Sequence, residues 1–270
     1  LKVTRAGFDP AVTTVQQRDT LAAAFDGELT AAPHLLSVLR QRKSAEEVAR
    51  IRSASELAEG AMLDLLDRLE AGMPEREAAA WLEYAFKQRG AEGPSFDAIV
   101  LFGAHSSLPH GVPGDRRLQP GDIVLVDCGC IRDGYCSDLT RTCVFDTIPA
   151  HWFEEIYQVT RQAQQAALDA VRPGVACREL DAIARQHITE AGYGPCFGHG
   201  LGHGVGLEVH EAPRLNMEAE GVLDAGMVVT VEPGIYLPGQ GGVRIEDLVV
   251  VTDSGCDVLT SSSRELRVLE

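Results

Sequence analysis

Five side chains with metal-ligand chemistry recur along this chain, each in its own stretch: Asp127 in LVDCG, Asp138 in YCSDLTRT, His203 in GHGLGHGVGLEVHE, Glu232 in VEPG and Glu246 in VRIEDLVVV. Four carboxylates and one imidazole make an oxygen-rich set, suited to two hard or borderline divalent ions that share bridging carboxylates. A metal-dependent hydrolase is the chemistry this implies. A single Asp in a strand is more often a turn or cap residue than a ligand; it is the joint occurrence that counts. Glycines at 198, 200, 202, 204 and 206 strip side chains from a segment holding His199, His203 and His210. No phosphate-loop pattern can be laid on that segment, and flexible linkers rarely interleave histidines and glutamates so closely. Close approach of backbone to an ion and a substrate accounts for the glycines.

Strand periodicity says how these groups are aimed. In GDIVLVDCGC the run is too apolar for a solvated edge, and Asp127 shares a face with Ile123 and Leu125. A carboxylate at the end of such a run is costly to bury unless something cationic meets it. In VRIEDLVVV, strand alternation puts Arg244 and Glu246 on one face and Ile245 and Asp247 on the other. Arg244 is thereby placed to hold a site carboxylate by a charge-assisted hydrogen bond.

The elements behind the strands repeat. Ser44 and Glu47 form a capping box, and Val48, Ile51, Ala54, Ala58, Met62, Leu65 and Leu69 follow at helical spacing until Gly72 and Pro74. A second helix is expected over about 75–89 and an apolar strand over 96–102. The order returns with helices over about 150–171 and 177–191, then Gly192 and Gly194 leading into a strand-like region. Gly121 precedes Asp127 by six residues and Gly226 precedes Glu232 by six. Two copies of one unit, offset by about 105 residues, would face each other about a pseudo-twofold axis with the metal site on it.

Residues 1–43 differ: a strand-like LKVT, a helix around 15–25 and PHLLSVLRQR bury too little to stand alone, which suggests the last piece of a preceding domain, with 44–270 the catalytic domain. The chain starts at a leucine, which leaves room for an upstream segment. With 45% hydrophobic residues in 270, a sizeable core is available. A net charge of −16 disfavours nucleic acid, and no 18-residue apolar run offers a membrane span. Seven cysteines, an odd number, fit a reduced cytoplasmic protein. Cys128, Cys130, Cys136 and Cys143 cluster, but without the paired C-x-x-C knuckles of a thiolate zinc site.

Taken together, these motifs resemble the dinuclear metallopeptidases of the pita-bread fold, the group of methionine aminopeptidase, Xaa-Pro aminopeptidase and prolidase. The resemblance covers about residues 44–270 and implies an α+β, pita-bread fold with internal pseudo-twofold duplication. SLPHG, DLTRT and HGLGHGVGLEVHE resemble the proline-specific branch. Carried over, the pattern makes Asp127 a ligand of one metal, Asp138 and Glu246 bridging carboxylates, and His203 and Glu232 ligands of the other. His203 is chosen over His199 because it lies seven residues before His210, the separation the family uses. His110 and His210 would contact substrate and stabilise the tetrahedral intermediate, His199 would be auxiliary, and Phe96 and Arg244 would line the cleft. The implied cofactors are two divalent ions, Mn²⁺ or Co²⁺ with Zn²⁺ able to bind, which lower the pKa of a shared water. Glu232 would shuttle a proton toward the leaving nitrogen. The implied substrate is a small peptide with proline second, and the implied assembly a homodimer or higher homo-oligomer. Two alternatives stand: a methionine aminopeptidase-type exopeptidase, and a non-catalytic pita-bread peptide-binding module.

Overall fold

The computed structural model describes residues 3–33 and 35–270. Leu1 and Lys2 of the expected LKVT strand, and His34, lie outside the described residues. The chain divides into two compact units, Leu1–Gln41 and Arg42–Glu270. In the first, β1 (Arg5–Phe8) pairs in parallel with β2 (Glu28–Ala31), and α1 (Val15–Ala24) and α2 (Leu35–Gln41) follow each strand. The strand thus falls on RAGF, just beyond LKVT.

The second unit opens with α3 (Ala45–Leu66) and α4 (Glu75–Gln88). The capping box is present: Ser44 Oγ accepts from Glu47 N at 3.3 Å, and Glu47 Oε2 accepts from Ser44 N at 2.8 Å. Then come β3 (Gly93–Pro94), β4 (Ile99–Phe102), β5 (Ile123–Cys128), β6 (Cys130–Arg132), β7 (Tyr135–Cys136) and β8 (Leu139–Phe145). The second half has α5 (His151–Ala170), α6 (Cys177–Glu190), β9 (Gly202–Gly204), β10 (Glu211–Leu215), β11 (Val228–Val231), β12 (Gly234–Leu237), β13 (Gly241–Arg244), β14 (Asp247–Val251), β15 (Cys256–Val258) and β16 (Val268–Leu269). Two larger sheets result, ordered β16-β8-β5-β4 and β10-β9-β11-β14-β15. Each buries one helix pair: Leu82 and Phe86 of α4 pack with Phe102 and Val124, while Phe153 and Ile156 of α5 pack with Val229 and Val249. No helix among the described residues is long and apolar enough to cross a membrane.

Two sequence expectations need correction. The strand predicted over 96–102 begins only at Ile99, because Phe96 turns toward the cleft instead of joining the ladder. VRIEDLVVV is not one strand: β13 pairs with β12, β14 pairs with β11, and Ile245 and Glu246 form the break between them.

The duplication is visible in the backbone. Gly72 N donates to Leu118 O and Gly174 N to Leu223 O, both at 2.8 Å; Gly121 N donates to Phe145 O and Gly226 N to Val251 O, again both at 2.8 Å. Gly121 and Gly226 hold φ of 84° and 85°, a left-handed turn that a side chain would strain. β4-β5-β8 therefore matches β9-β11-β14. Val126 pairs with Arg141 and its equivalent Val231 pairs with Asp247, so Arg141 corresponds to Asp247, and Thr140 to Glu246. These equivalents touch one another: Arg141 Nη2 donates to Asp247 Oδ1 and Thr140 Oγ1 to Glu246 Oε2, both at 2.6 Å. Residues that meet their own equivalents lie on the pseudo-twofold axis, and one of them is the expected bridging carboxylate Glu246.

Candidate metal centre and its cleft

Asp127 is the fifth residue of β5, flanked in register by Ile99 and Thr140. Its Oδ2 accepts from Arg244 Nη2 at 2.5 Å, while its Oδ1 is buried with no hydrogen-bond partner among the described residues. Asp138 and Glu246 stand at the entrances of β8 and β14, and ligand oxygens of Asp127, Asp138 and Glu246 all lie within 4.8 Å of one another. Thr140 Oγ1 donates to Glu246 Oε2 and accepts from Arg244 Nε at 3.0 Å, so one hydroxyl fixes both the Glu246 carboxylate and the guanidinium behind it.

His203, on β9, completes the set from the other side. Its Nδ1 lies 3.1 Å from Gly204 O. A carbonyl only accepts, so Nδ1 carries the proton and Nε2 is turned to Asp138 Oδ2 at 3.6 Å and Glu232 Oε1 at 3.3 Å. Thr230 Oγ1 accepts from His203 N and donates to Glu232 Oε1, both at 3.0 Å. The five expected ligands are thus one connected constellation contributed by both halves.

Its electrostatics call for a cation. Burial pushes Asp138 and Glu246 well above the usual carboxylate range, and the charges of neighbouring carboxylates push them further. Burial also raises Asp127, although Arg244 opposes it. Glu232 goes the other way: burial pushes it up, but the hydrogen bond and charge of His203, helped by His199 and Arg244, bring it down to about 2. A divalent cation among these oxygens suits the donors present. It would satisfy Asp127 Oδ1, take the Nε2 lone pair of His203 and offset the repulsion between the acids.

A sign follows for pH. In the metal-free fold Asp127, Asp138 and Glu246 hold protons that the unfolded chain releases, so their contribution to stability falls as pH rises above the usual carboxylate range. Metal binding needs the deprotonated acids. The rise in thermal midpoint caused by added Mn²⁺ should therefore be larger at about pH 8 than at about pH 5.5, read by thermal melts with and without the ion. An equal rise at both would contradict the assignment.

A cleft of about 260 Å³ contains all ten residues singled out from sequence: Phe96, His110, Asp127, Asp138, His199, His203, His210, Glu232, Arg244 and Glu246. His210 stacks edge-on against His203, ring centroids 4.3 Å apart. Burial, then the charge of His203, lowers its pKa. His110 follows β4 as His210 follows β9, so the two histidines come from matching places in the two halves. His199 is more committed: Nδ1 donates to Gly200 O at 2.8 Å, leaving Nε2 to accept from Tyr236 OH at 2.9 Å. Tyr236 in turn accepts from Arg244 Nη1 at 2.7 Å. His199 therefore braces the Tyr236–Arg244–Asp127 chain, and both its nitrogens are engaged by protein. The sequence reading missed Thr140, Thr230, Tyr236 and Arg214. Only Thr140, inside DLTRT, stood in a stretch already marked.

The sequence pattern of Metallopeptidase family M24 matches residues 49–253. The chain belongs to that family. Its α+β, duplicated pita-bread fold is the M24 fold. The X-Pro aminopeptidase from Thermotoga maritima superposes with a TM-score of 0.95 at 38% identity, over 99% of this chain and 76% of that one. The Xaa-Pro dipeptidase from Bacillus anthracis gives 0.94 at 41%, over 98% and 75%. The Xaa-Pro dipeptidase of Pyrococcus furiosus is 48% identical over 228 residues, 84% of this chain and 65% of that protein, so the M24 chain here spans just under two thirds of that relative's length. Membership in M24 implies divalent metal ions, which agrees with the donor set above.

Arg244 supplies a test of how that donor set is held. Arg244→Met removes the cation from Asp127, Thr140 and Tyr236 together while keeping a long stem. Mn²⁺ affinity should fall by about 10- to 100-fold, read by calorimetric titration; unchanged affinity would mean Arg244 does not organise the ligands.

Proposed function

We propose that this chain is a metal-dependent exopeptidase that hydrolyses the bond between an N-terminal residue and proline, and that it acts on dipeptides. The observation that supports this best is the convergence, in one cleft, of the five ligands with His110, His210 and an uncommitted arginine, Arg214. Asp127 would hold one ion, His203 and Glu232 the other, with Asp138 and Glu246 between them. Mn²⁺ or Co²⁺ suits this carboxylate-rich set. When bound, the ions supply Lewis acidity and an attacking water acidic enough to react near neutrality.

The rest is the work of the chain's own groups. Glu232, a carboxylate beside the attacking water, would take its proton and pass it on. His210, its pKa lowered, is neutral near pH 7 and can donate to the developing oxyanion. His110 is exposed to the cleft and can donate to the carbonyl or the leaving nitrogen. Protonation matters because proline's nitrogen carries no hydrogen in the peptide and leaves as a secondary amine. Phe96 and Ile99 give the cleft an apolar wall.

Arg214 supports the dipeptide reading. Its exposed guanidinium lines the cleft near His210 and makes no ion pair or hydrogen bond among the described residues. In a dipeptide the proline carboxylate lies one residue beyond the scissile bond, where such a cation can bind it. Arg214→Ala should lower kcat/KM for Ala-Pro by about 10- to 100-fold and leave a longer Ala-Pro-led peptide nearly unaffected. Equal losses on both would move the reading to an aminopeptidase. Cleavage of Met-led peptides without proline, and of nothing else, would favour the methionine aminopeptidase alternative.

A further inference from the structure

His110 makes no hydrogen bond or ion pair among the described residues, so no polar contact of its own ring fixes its aim and the backbone that carries it matters. That backbone is the connection between β4 and β5, and a buried acid outside the cleft holds it at several points. Glu75, the first residue of α4, is 0% exposed. Its Oε1 accepts from Phe102 N at 2.8 Å, at the start of the connection; its Oε2 accepts from Gly114 N at 2.9 Å, beyond His110. Between them, His105 Nδ1 lies 2.9 Å from Oε1 and 2.8 Å from Oε2. A carboxylate only accepts, so this nitrogen is the donor. One side chain thus pins residues 102, 105 and 114, closing the base of the loop. The far side is tied to the metal centre: Arg244 Nη1 donates to Pro109 O at 3.2 Å, and Ser106 Oγ accepts from Gly242 N at 2.9 Å.

We infer that Glu75 is a positioning residue for His110, fixing the loop so that the imidazole faces the bond held at the metal centre. This rests on the peptidase reading above. Among the described residues Glu75 makes no hydrogen bond or ion pair with any of the five ligand candidates, so its removal should disturb the histidine and spare the ions. Gln is the informative replacement. It has nearly the same shape, but its NH₂ group must face the N–H of Phe102 or of Gly114, donor against donor.

The test is a double-mutant cycle on Ala-Pro hydrolysis with Glu75→Gln, His110→Ala and both together, with Mn²⁺ titration and amide exchange on each. Glu75→Gln should lower kcat about tenfold or more with a smaller change in KM, and leave Mn²⁺ affinity within about twofold. In the His110→Ala background the same change should cost little further, because the group it aims is already gone. A loss that carries over undiminished, or that comes with weakened Mn²⁺ binding, would show a general structural role and overturn the inference. If Glu75→Gln does not fold, His105→Ala takes its place in the cycle with the same two outcomes. Amide exchange needs no substrate: faster exchange confined to residues 102–114 in the Glu75 variant supports the anchoring, and unchanged exchange there overturns it. A wild-type chain that cleaves no Xaa-Pro bond while that local opening is seen would count against the peptidase reading and leave the anchoring intact.

Discussion

Asp138→Asn should abolish turnover and raise stability in the absence of metal. Asp138, a proposed ligand, is within reach of both sides of the centre, close to Asp127 and Glu246 and 3.6 Å from His203 Nε2. An amide of the same shape keeps the packing but removes one of the two carboxylate charges proposed to lie between the ions. Hydrolysis of Ala-Pro should fall by at least about a thousandfold even at saturating Mn²⁺, since both water activation and carbonyl polarisation depend on the ions. The stability sign is opposite. In the metal-free fold burial and the neighbouring acids oppose ionisation of Asp138, so a neutral side chain removes an unfavourable charge. The metal-free variant should therefore melt above the metal-free wild type at about pH 8, and the difference should shrink as pH falls toward about 4, where the folded-state carboxyl is already protonated and the unfolded one is beginning to be. Steady-state kinetics and thermal melts of the two chains check both halves. Retained turnover, or a metal-free variant that melts lower at the higher pH, would contradict Asp138 as a shared ligand.

His210→Ala should reduce kcat for Ala-Pro by about 10²- to 10⁴-fold, the range for losing a positioned proton donor. The ring lies edge-on to His203 at a centroid distance of 4.3 Å, on the cleft side of the ligand shell. Because it is not among the five ligands, Mn²⁺ affinity should change little, which separates this variant from Asp138→Asn. Its lowered pKa makes a second expectation. The wild-type group stays neutral from neutral pH down into the mildly acidic range, so any acid limb of kcat assigned to it lies below that of an ordinary histidine and disappears in the variant. Kinetics across pH with metal binding measured alongside would decide it. A loss of turnover that tracks a loss of metal would move His210 from substrate handling to metal retention.

Much of this site could be read from the chain because its chemistry is local. Ligand residues sit in short stretches whose composition is unusual, and a buried acid at the end of an apolar run is rare enough to stand out. The helices were legible for a similar reason: the Ser44–Glu47 capping box and the apolar spacing after it are signals within one element. Gly121 and Gly226 exposed the duplication because a left-handed turn demands glycine at the same place in each copy.

What escaped depends on register between distant strands. Nothing near Thr140 says that it faces Glu246 from 106 residues away, and nothing near Tyr236 says that its hydroxyl lies between Arg244 and His199. The break at Ile245 and Glu246 was hidden because both sides of it read as strand; only the exchange of pairing partner, from β12 to β11, reveals it. Phe96 was placed in a strand because apolar residues read alike whether they join a ladder or line a cleft. Nothing near Glu75 in the chain says that it is buried or that it accepts hydrogen bonds from residues 102, 105 and 114.

The central proposal is that acids from both halves of the chain share ions that drive peptide hydrolysis. The most direct measurement is a titration of the chelator-treated protein with Mn²⁺ that follows bound metal and Ala-Pro turnover in the same samples. Binding should approach two ions per chain, with turnover absent at first and rising as the ions are taken up. Full turnover in the chelated protein, or metal-saturated protein that leaves Ala-Pro intact, would contradict it.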